Sequence, residues 1–349
     1  MKTIGQKLTA GLAVCGLAAA LLAGCGASSS SSTTKASEQA AAQAASETEA
    51  AADGKVYQIG ICQLAPHAAL DKATQGFEEA LIELLGEDHA AFDYQNAQGD
   101  AQVCSTIANQ FVADGKDLIM ANATASLQAC ANATKDIPVV GTSVTSFASA
   151  LDIELDENAC TGINVTGTND LTPLQMQAEQ IKDIFPDVRQ VGILFCSAEI
   201  NSVYQAEHIK ATLDELNVAY KDFSFSDSND LQAVVTMACS ECDVLYIPTD
   251  NTAAANTGVI DGVARPAGVP IITGEKDTCA GCGLASISID FYKIGYRAGE
   301  MAYDILVNGA DPAVMTVEDP DLNALSYVYN AEIASDLNIT LDETYTAID

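Results

Sequence analysis

The chain has 349 residues, 48% of them hydrophobic, which is enough to build two domains with separate cores. Its 48 acidic residues outnumber its 15 basic residues, and the formal net charge at pH 7 is −33. A field of this sign repels nucleic acids and anionic lipid head groups, so we exclude nucleic acid as a partner.

The N-terminus is organised like a secretory signal. Lys2 and Lys7 precede an apolar run at residues 8–22, which is too short and too rich in small residues for a membrane span. The sequence Leu-Ala-Gly-Cys follows and ends at Cys25. It resembles the lipobox of bacterial lipoproteins, so we predict a signal peptide at residues 1–24 and lipidation of Cys25. The lipid would anchor the protein to the outer face of the cytoplasmic membrane, at the cell surface. An ordinary signal peptide is the alternative.

A polar segment follows the predicted cleavage site. Residues 25–54 consist mainly of Ser, Ala, Thr, Gln and Glu, with almost no large apolar side chain. Such a composition cannot bury enough apolar surface to offset the entropy of folding. We therefore predict a disordered tether between the membrane and the folded part of the chain.

After the tether, short apolar runs alternate with amphipathic stretches. We predict strands at residues 56–62, 91–94, 117–121 and 137–141, and helices at residues 69–85, 101–112 and 126–134. The strands are nearly continuous apolar runs, as expected when both faces of a parallel sheet are covered by helices. This alternation predicts βαβ units.

A second series of similar order begins after a predicted strand at residues 161–165 and a break at residues 166–170. We predict helices at residues 174–185, 203–216, 230–239 and 253–264, and strands at residues 190–195, 220–223, 244–247, 269–273 and 284–289. A strongly amphipathic helix at residues 290–308 ends at Gly309, and a final strand covers residues 326–329. Two similar series predict two similar lobes.

Polar side chains recur where these predicted strands end. Small-molecule sites in open α/β sheets lie outside the carboxyl ends of the strands, so the clusters predict one shared cleft. The candidate ligand-binding residues are Gln63, Thr124, Ser126, Thr142, Ser143, Thr145, Glu199, Asn201, Ser202, Asp250, Asn251, Glu275 and Asp290. The sequence has no Gly-x-Gly-x-x-Gly after its first strand, no Walker loop and no Gly-x-Ser-x-Gly elbow. We therefore predict a binding protein without catalytic residues or a cofactor, and not an enzyme.

Several of these stretches carry a family resemblance. They are Ile-Gly-Ile-Cys-Gln at 59–63, Asn-Ala-Gln-Gly-Asp at 96–100, Ala-Glu-Ile-Asn-Ser at 198–202, Pro-Thr-Asp-Asn at 248–251 and Ile-Asp-Phe-Tyr at 289–292. Together they resemble the tryptophan/tyrosine-type substrate-binding lipoproteins of ABC transporters. The resemblance covers the chain from about residue 56 to its end. One departure is Thr-Ser-Val-Thr-Ser-Phe at 142–147, where the family often has an aspartate-proline pair.

The resemblance implies an α/β architecture, the type I periplasmic-binding-protein fold. In this fold two Rossmann-like lobes with parallel central sheets are joined by a three-segment hinge, which lets them close on a ligand. We expect lobe 1 at residues 55–167 and 290–318, and lobe 2 at residues 168–289 and 319–349. The implied protein partners are an ABC permease and its ATPase.

The ligand that the resemblance implies is an amino acid, with the aromatic ones favoured: tyrosine, tryptophan or phenylalanine. Hydroxyls and helix starts near Thr124 and at residues 142–145 suit its carboxylate, and Glu199, Asp250 and Asn251 suit its ammonium group. Helix capping is the alternative for Asp250 and Asn251. Other ligands left open are branched-chain amino acids, nucleosides and sugars. A surface sensor or adhesin without a transport role is a further alternative.

Three other features have two interpretations each. Phe147 and Tyr204 are either stacking partners of an aromatic ligand or core residues, and single aromatics near apolar helices are more often core. His67 is either a contact or a helix cap. The two Cys-x-x-Cys pairs are Cys239 with Cys242 and Cys279 with Cys282. We favour disulfides or reduced thiols there over zinc, because the gap between the pairs is long for a zinc ribbon, and we predict no metal site.

Overall fold

The computed structural model describes residues 54–348. The predicted signal peptide, the lipidation of Cys25 and nearly all of the predicted tether lie outside the described residues. No helix between residues 54 and 348 is long and apolar enough to cross a membrane.

The first lobe is built on a parallel sheet of five strands in the order β2-β1-β3-β4-β5. The strands are β1 (Tyr57–Gln63), β2 (Ala90–Asn96), β3 (Leu118–Asn122), β4 (Val139–Val144) and β5 (Val165–Asn169). The sheet order reverses direction at β1, so the carboxyl ends of β1 and β3 border a crevice, as in other doubly wound sheets.

The position of β5 corrects the sequence-based prediction. We expected a strand at residues 161–165 and a break at residues 166–170, but the strand lies at the predicted break and pairs with β4. The sequence analysis missed β5 because the strand contains threonines, and polar side chains usually indicate a loop. Thr168 donates a hydrogen bond from its hydroxyl to the hydroxyl of Thr142 at 2.9 Å, so its polar group is satisfied inside the lobe.

The second lobe is built on a sheet of seven strands in the order β12-β11-β10-β9-β8-β6-β7. The strands are β6 (Gln190–Cys196), β7 (Ala219–Phe225), β8 (Val244–Ile247), β9 (Ile271–Thr273), β10 (Ala285–Ser288), β11 (Ser326–Asn330) and β12 (Thr346–Ile348). All neighbouring pairs are parallel except β10 with β11, which is antiparallel. The short strand β12 was not predicted.

Helices cover the faces of both sheets. They are α1 (Ala68–Leu85), α2 (Ala101–Asp114), α3 (Thr124–Ala133), α4 (Phe147–Leu151), α5 (Leu174–Ile184), α6 (Ile200–Glu215), α7 (Ser228–Glu241), α8 (Asn251–Ala254), α9 (Thr257–Ala267), α10 (Lys276–Cys282), α11 (Phe291–Asn308) and α12 (Ala331–Asp336). The single helix predicted at residues 253–264 is two helices, α8 and α9, which separate at Ala255 and Asn256.

Three chain segments connect the elements of the two sheets. Residues 170–173 lead from β5 to α5, residues 289–290 lead from β10 to α11, and residues 319–325 lead back to β11. The helix α11 thereby returns to the first lobe and packs along α1. The predicted domain boundaries after residues 167, 289 and 318 stay predictions.

Glycines allow the close contact between α1 and α11. A Cβ atom on Gly295 would lie 2.0 Å from the carbonyl oxygen of Ala73, and one on Gly76 would lie 2.2 Å from the carbonyl oxygen of Tyr292. No side chain fits at either position without moving one helix away from the other. This contact fixes the start of α11, and with it Phe291, relative to the start of α1.

We expect Gly295→Ala to lower the free energy of unfolding by about 1–3 kcal/mol or more, because the added methyl group clashes with the backbone of α1. The control is Gly262→Ala in the interior of α9, where an added Cβ has no neighbour within 4 Å. There alanine should raise the free energy of unfolding by about 0.5–1 kcal/mol. Urea denaturation of both variants checks this. Equal effects of the two substitutions would show that the helix contact is not tight.

Candidate ligand-binding site

The carboxyl ends of the strands from both lobes meet at a cleft that contains a small inner cavity. Lobe 1 contributes residues after β4 and at the start of α1, lobe 2 contributes the ends of β8 and β9, and the first connecting segment contributes Asp170. The lining residues are His67, Ala69, Leu70, Ser143, Thr145, Asp170, Asn201, Thr249, Asp250, Asn251, Ala254, Glu275 and Phe291. The cavity has a volume of about 10 Å³, which is room for one group the size of a water molecule.

A larger outer cavity of about 460 Å³ adjoins the inner one. Asn201 and Asn251 line both, so the two spaces meet at these residues. The walls of the outer cavity come from the loops after β1, β2 and β3 in lobe 1 and after β6, β7 and β8 in lobe 2. The volume lies within the usual range of small-molecule sites.

Three buried carboxyl groups surround the inner cavity. Asp170, Asp250 and Glu275 are each at most 3% exposed, and no Lys or Arg among residues 54–348 lines the cavity. Burial raises the pKa of Asp170 and of Asp250 to about 7, because a carboxylate loses its hydration there. Burial also raises the pKa of Glu275. The inner cavity therefore favours a positively charged group.

Two of these three carboxyl groups cap short helices. Asp250 accepts hydrogen bonds from the backbone N–H of Ala253 at 2.8 Å and of Cys196 at 2.6 Å, one on each oxygen. Glu275 accepts from the backbone N–H of Asp277 at 2.6 Å and from the N–H and hydroxyl of Thr278. Asp250 therefore acts as a helix cap in this structure, which is the alternative role given for it in the sequence analysis.

Asp170 is the carboxyl group that can accept further hydrogen bonds. Among the described residues, its one side-chain partner is Thr145, whose hydroxyl donates to Asp170 Oδ1 at 3.2 Å. An ionised carboxylate has about four acceptor positions, so it can take further donors. The sequence analysis did not include Asp170, because the misplaced strand end at residue 165 put it outside the pattern. With β5 ending at Asn169, Asp170 has the same position as the other strand-end candidates.

Two buried hydroxyl groups, one at each cavity, have no hydrogen-bond partner among the described residues. Ser143 Oγ lines the inner cavity, Thr124 Oγ1 belongs to a residue that lines the outer cavity, and neither has a hydrogen-bond partner among the described residues. Both residues are 4% exposed. Thr124 begins α3, and the residue before it, Ala123, offers no side-chain cap to the helix. This N-terminus leaves hydrogen-bond donors for an anionic group.

The other candidate residues divide by location. Those that line the inner cavity, besides Ser143, are Thr145, Asn201, Asp250, Asn251 and Glu275, and those that line the outer cavity are Thr124, Glu199, Asn201 and Asn251. Glu199 uses both carboxylate oxygens on the start of α8, where it accepts from the N–H groups of Asn251 and Thr252 at 3.1 and 2.8 Å. In this conformation it positions α8.

Five candidates line neither cavity, namely Gln63, Ser126, Thr142, Ser202 and Asp290. Gln63 is fully buried and donates to Asp71 Oδ1 at 2.7 Å within lobe 1. Asp290 is exposed and caps α11 by accepting from the N–H of Tyr292 at 3.1 Å. As ligand contacts, these five residues stay predictions.

Among the aromatic residues, the structure places a different one at the site than we predicted. Phe147 is 1% exposed and belongs to the core of lobe 1, as its alternative interpretation states. Tyr204 stacks on His208, with 3.9 Å between ring centroids, and lines neither cavity. Phe291 lines the inner cavity instead. Phe291 directly follows Asp290. The sequence analysis therefore identified the correct strand end, but it selected the polar residue Asp290 as the ligand contact.

Direct contacts join the two lobes around the cavities. His67 Nε2 lies 3.2 Å from Asn251 Oδ1, and Lys72 Nζ forms an ion pair with Asp277 at 2.7 Å. Gln205 Nε2 donates to the hydroxyl of Thr145 at 3.2 Å. The lobes are therefore in contact across the cleft.

The cysteines form no disulfide within the described part of the chain. Cys239, Cys242, Cys279 and Cys282 are free thiols, as are the other five between residues 54 and 348. In the same range, no group of three or more His, Cys, Asp or Glu side chains is arranged to hold a metal ion. The paired cysteines belong to or follow α7 and α10 and line neither cavity.

We expect Asp170→Asn to stabilise the ligand-free protein by about 2–4 kcal/mol at pH 8 and to have little effect near pH 4. The carboxyl pKa is about 7 in the folded protein and near 3.9 in an unfolded chain. Between these values the unfolded state releases its proton first, so stability falls as pH rises from about 4 to 7, and asparagine removes this effect. Denaturation at several pH values measures it.

The control is Asp250→Asn, whose carboxyl pKa is raised equally but whose two oxygens each accept a backbone N–H. An amide has one acceptor oxygen, so one N–H loses its partner at a cost of about 1–3 kcal/mol. Its stabilisation at pH 8 should therefore be smaller than that of Asp170→Asn. An identical increase in the free energy of unfolding for the two variants at pH 8 would contradict our conclusion that Asp170 has free acceptor positions.

Known proteins resemble this chain over most of its length. The family model of ABC transporter substrate-binding proteins matches residues 58–347. A tyrosine-binding protein of Clostridioides difficile (strain R20291) is 34% identical over 281 residues, covering 79% of this chain and 81% of the relative. These matches extend through both lobes, including the residues that line the cavities.

Solved structures agree with the sequence matches. An ABC domain in complex with L-Trp from Streptococcus pneumoniae is 33% identical, with a TM-score of 0.76, and covers 82% of this chain and 97% of its own. A ligand-free, open substrate-binding protein with adhesive properties from Clostridium difficile is 31% identical, with a TM-score of 0.64, and covers 84% and 99%. The predicted type I periplasmic-binding-protein fold is confirmed. The chain belongs to the family of ABC transporter substrate-binding proteins, which are solute-binding proteins and not enzymes.

Proposed function

We propose that this chain is the lipid-anchored, extracellular binding component of an ABC importer for an amino acid. Tyrosine, tryptophan and phenylalanine are the favoured ligands. The observation that carries the proposal is the inner cavity, in which buried carboxyl groups surround a space for one small group and no Lys or Arg is present. An ammonium group has the size and the charge that this space favours.

Asp170 is the acceptor that we assign to the ammonium group. Its carboxylate has one side-chain partner, whereas Asp250 and Glu275 are engaged by backbone N–H groups. A charge-assisted hydrogen bond to an ammonium group would repay part of the desolvation that raises the pKa of Asp170. We predicted from the sequence that Glu199, Asp250 and Asn251 hold the ammonium group, and we now propose Asp170 as its main acceptor.

The carboxylate of the ligand has a matching set of donors next to the acids. Ser143 Oγ lies at the edge of the inner cavity, and Thr124 Oγ1 and the first N–H groups of α3 lie at the outer one. Hydroxyls and helix N-termini bind a carboxylate without a basic side chain. The two hydroxyls without partners are thus the hydrogen-bond donors that would bind the carboxylate of a zwitterion.

The relatives support an aromatic amino acid as the ligand. One is a tyrosine-binding protein and another was solved in complex with L-Trp. The chain also superposes better on the L-Trp complex than on the ligand-free, open relative, at TM-scores of 0.76 and 0.64. This agrees with a closed arrangement of the lobes, and we infer that the membrane permease, which is driven by its ATPase, recognises this closed form.

A surface role without transport is the second candidate function. The open relative from Clostridium difficile is a substrate-binding protein with adhesive properties, at 31% identity. The same exported, anchored chain could therefore present its surface to a host or neighbouring cell. A strain lacking the gene separates the two functions: an importer mutant loses uptake of the labelled amino acid, whereas an adhesin mutant retains uptake and loses attachment.

We expect Asp170→Asn to weaken the binding of L-tryptophan by about 100-fold, because an amide gives up the charge-assisted bond to the ammonium group. The chain contains no tryptophan, so the fluorescence of bound L-tryptophan reports binding directly. Calorimetry with L-tyrosine and L-phenylalanine gives the same comparison. The protein should first be partially unfolded and refolded to remove carried-over ligand.

The charge-matched control is Asp88→Asn, an exposed residue of lobe 1 outside both cavities, which should bind as the wild type does. Indole-3-propionate, which lacks the amino group, tests the same contact from the ligand side and should not bind the wild type. Wild-type affinity in Asp170→Asn would overturn the assignment of the ammonium site. Binding of a sugar or nucleoside with no response to any amino acid would overturn the ligand class.

A further inference from the structure

Six of the residues that line the outer cavity have very small side chains. Its lining includes Ala65, Ala101, Ala125, Ala198, Ala255 and Gly99, and no aromatic residue lines it. Five methyl groups and a glycine leave the space of about 460 Å³ open between the lobes. A longer side chain at one of the exposed positions, such as Ala198 or Ala255, would reduce this space.

The division of space between the two cavities determines where a bound amino acid can lie. The inner cavity accommodates one group the size of a water molecule, so the ammonium of the proposed ligand fills it. The rest of the molecule must then extend past Asn201 and Asn251, the residues shared by the two cavities. Its side chain therefore lies in the outer cavity.

The charges around the outer cavity further restrict the side chain. Asp100, Glu199 and Asp227 line it, and no Lys or Arg in the described part of the chain does. Each of these carboxylates already accepts backbone N–H groups, at 2.7 Å from Gln102 for Asp100 and at 2.7 Å from Asn229 for Asp227. They do not require a cation, but they repel a second carboxylate. The cavity suits a large side chain without negative charge.

We propose that the outer cavity is the side-chain subsite of this binding protein, and that the short side chains of Ala198 and Ala255 determine how large a ligand side chain it admits. The proposal rests on the proposed function, because it uses the ammonium in the inner cavity as the fixed end of the ligand. Both alanines are exposed within the cleft wall of lobe 2, so a longer side chain there enters the cavity without disturbing a core.

The test is Ala198→Leu, and separately Ala255→Leu, titrated with L-alanine, L-leucine, L-phenylalanine and L-tryptophan. In the wild type we expect affinity to rise with side-chain size, because each ligand buries more apolar area. In either variant the affinity for L-tryptophan should fall by about 10-fold or more, while the affinity for L-alanine stays within about twofold. L-glutamate should not bind the wild type or either variant.

The matched control is Ala211→Leu, an exposed alanine on α6 that lines neither cavity. It should bind every ligand as the wild type does, and the melting temperatures of all three variants should stay close to that of the wild type. Unchanged L-tryptophan binding in both Ala198→Leu and Ala255→Leu, or an equal loss for all four ligands, would overturn the side-chain subsite alone. A wild type that binds none of the amino acids would overturn the proposed function as well.

Discussion

Burial of negative charge between the two lobes is the constraint on which the rest of this structure depends. Asp170, Asp250 and Glu275 lie at most 3% exposed around one small cavity that no Lys or Arg lines. A buried carboxylate is costly unless hydrogen-bond donors replace its hydration. The ends of the strands β8 and β9 meet this requirement locally, since each is followed by a helix whose first N–H groups point at the carboxylate. The connecting segment after β5 has no such helix start at Asp170.

The two kinds of helix start explain how the cleft discriminates between charges without using basic residues. Where an acidic side chain caps the helix, as at α8 and α10, the donors are already engaged and the local field is negative. Where the preceding residue cannot cap, as with Ala123 before α3, the donors remain for a ligand. One face of the cleft thus attracts a cation and the adjacent face attracts an anion. A zwitterion is the ligand chemistry that satisfies both at once.

The sequence was sufficient to predict the alternation of strands and helices and the two lobes, because apolar periodicity depends on neighbouring residues. It was insufficient wherever a long-range contact decides the role of a polar side chain. The threonines of β5 looked like a loop until Thr168 was paired with Thr142, and the misplaced strand end concealed Asp170. For Asp250 the choice between a cap and a ligand contact depends on Cys196, 54 residues away, whose N–H takes the second oxygen. Phe291 reaches the cavity because α11 returns to pack along α1, which local patterns do not specify.

In the proposed site, lobe closure and ligand binding involve the same carboxyl group, that of Asp170. Asp170 lies in a segment that connects the two lobes, and its burial there raises its carboxyl pKa to about 7. Near neutral pH, a proton and the ammonium group of a ligand compete for this one carboxylate. The ligand has the advantage that it also engages donors on lobe 1, whereas a proton engages nothing else. In the proposed function, a zwitterion therefore stabilises the closed state more than protonation does, and this difference would let a membrane partner distinguish the ligand-bound protein from the free one.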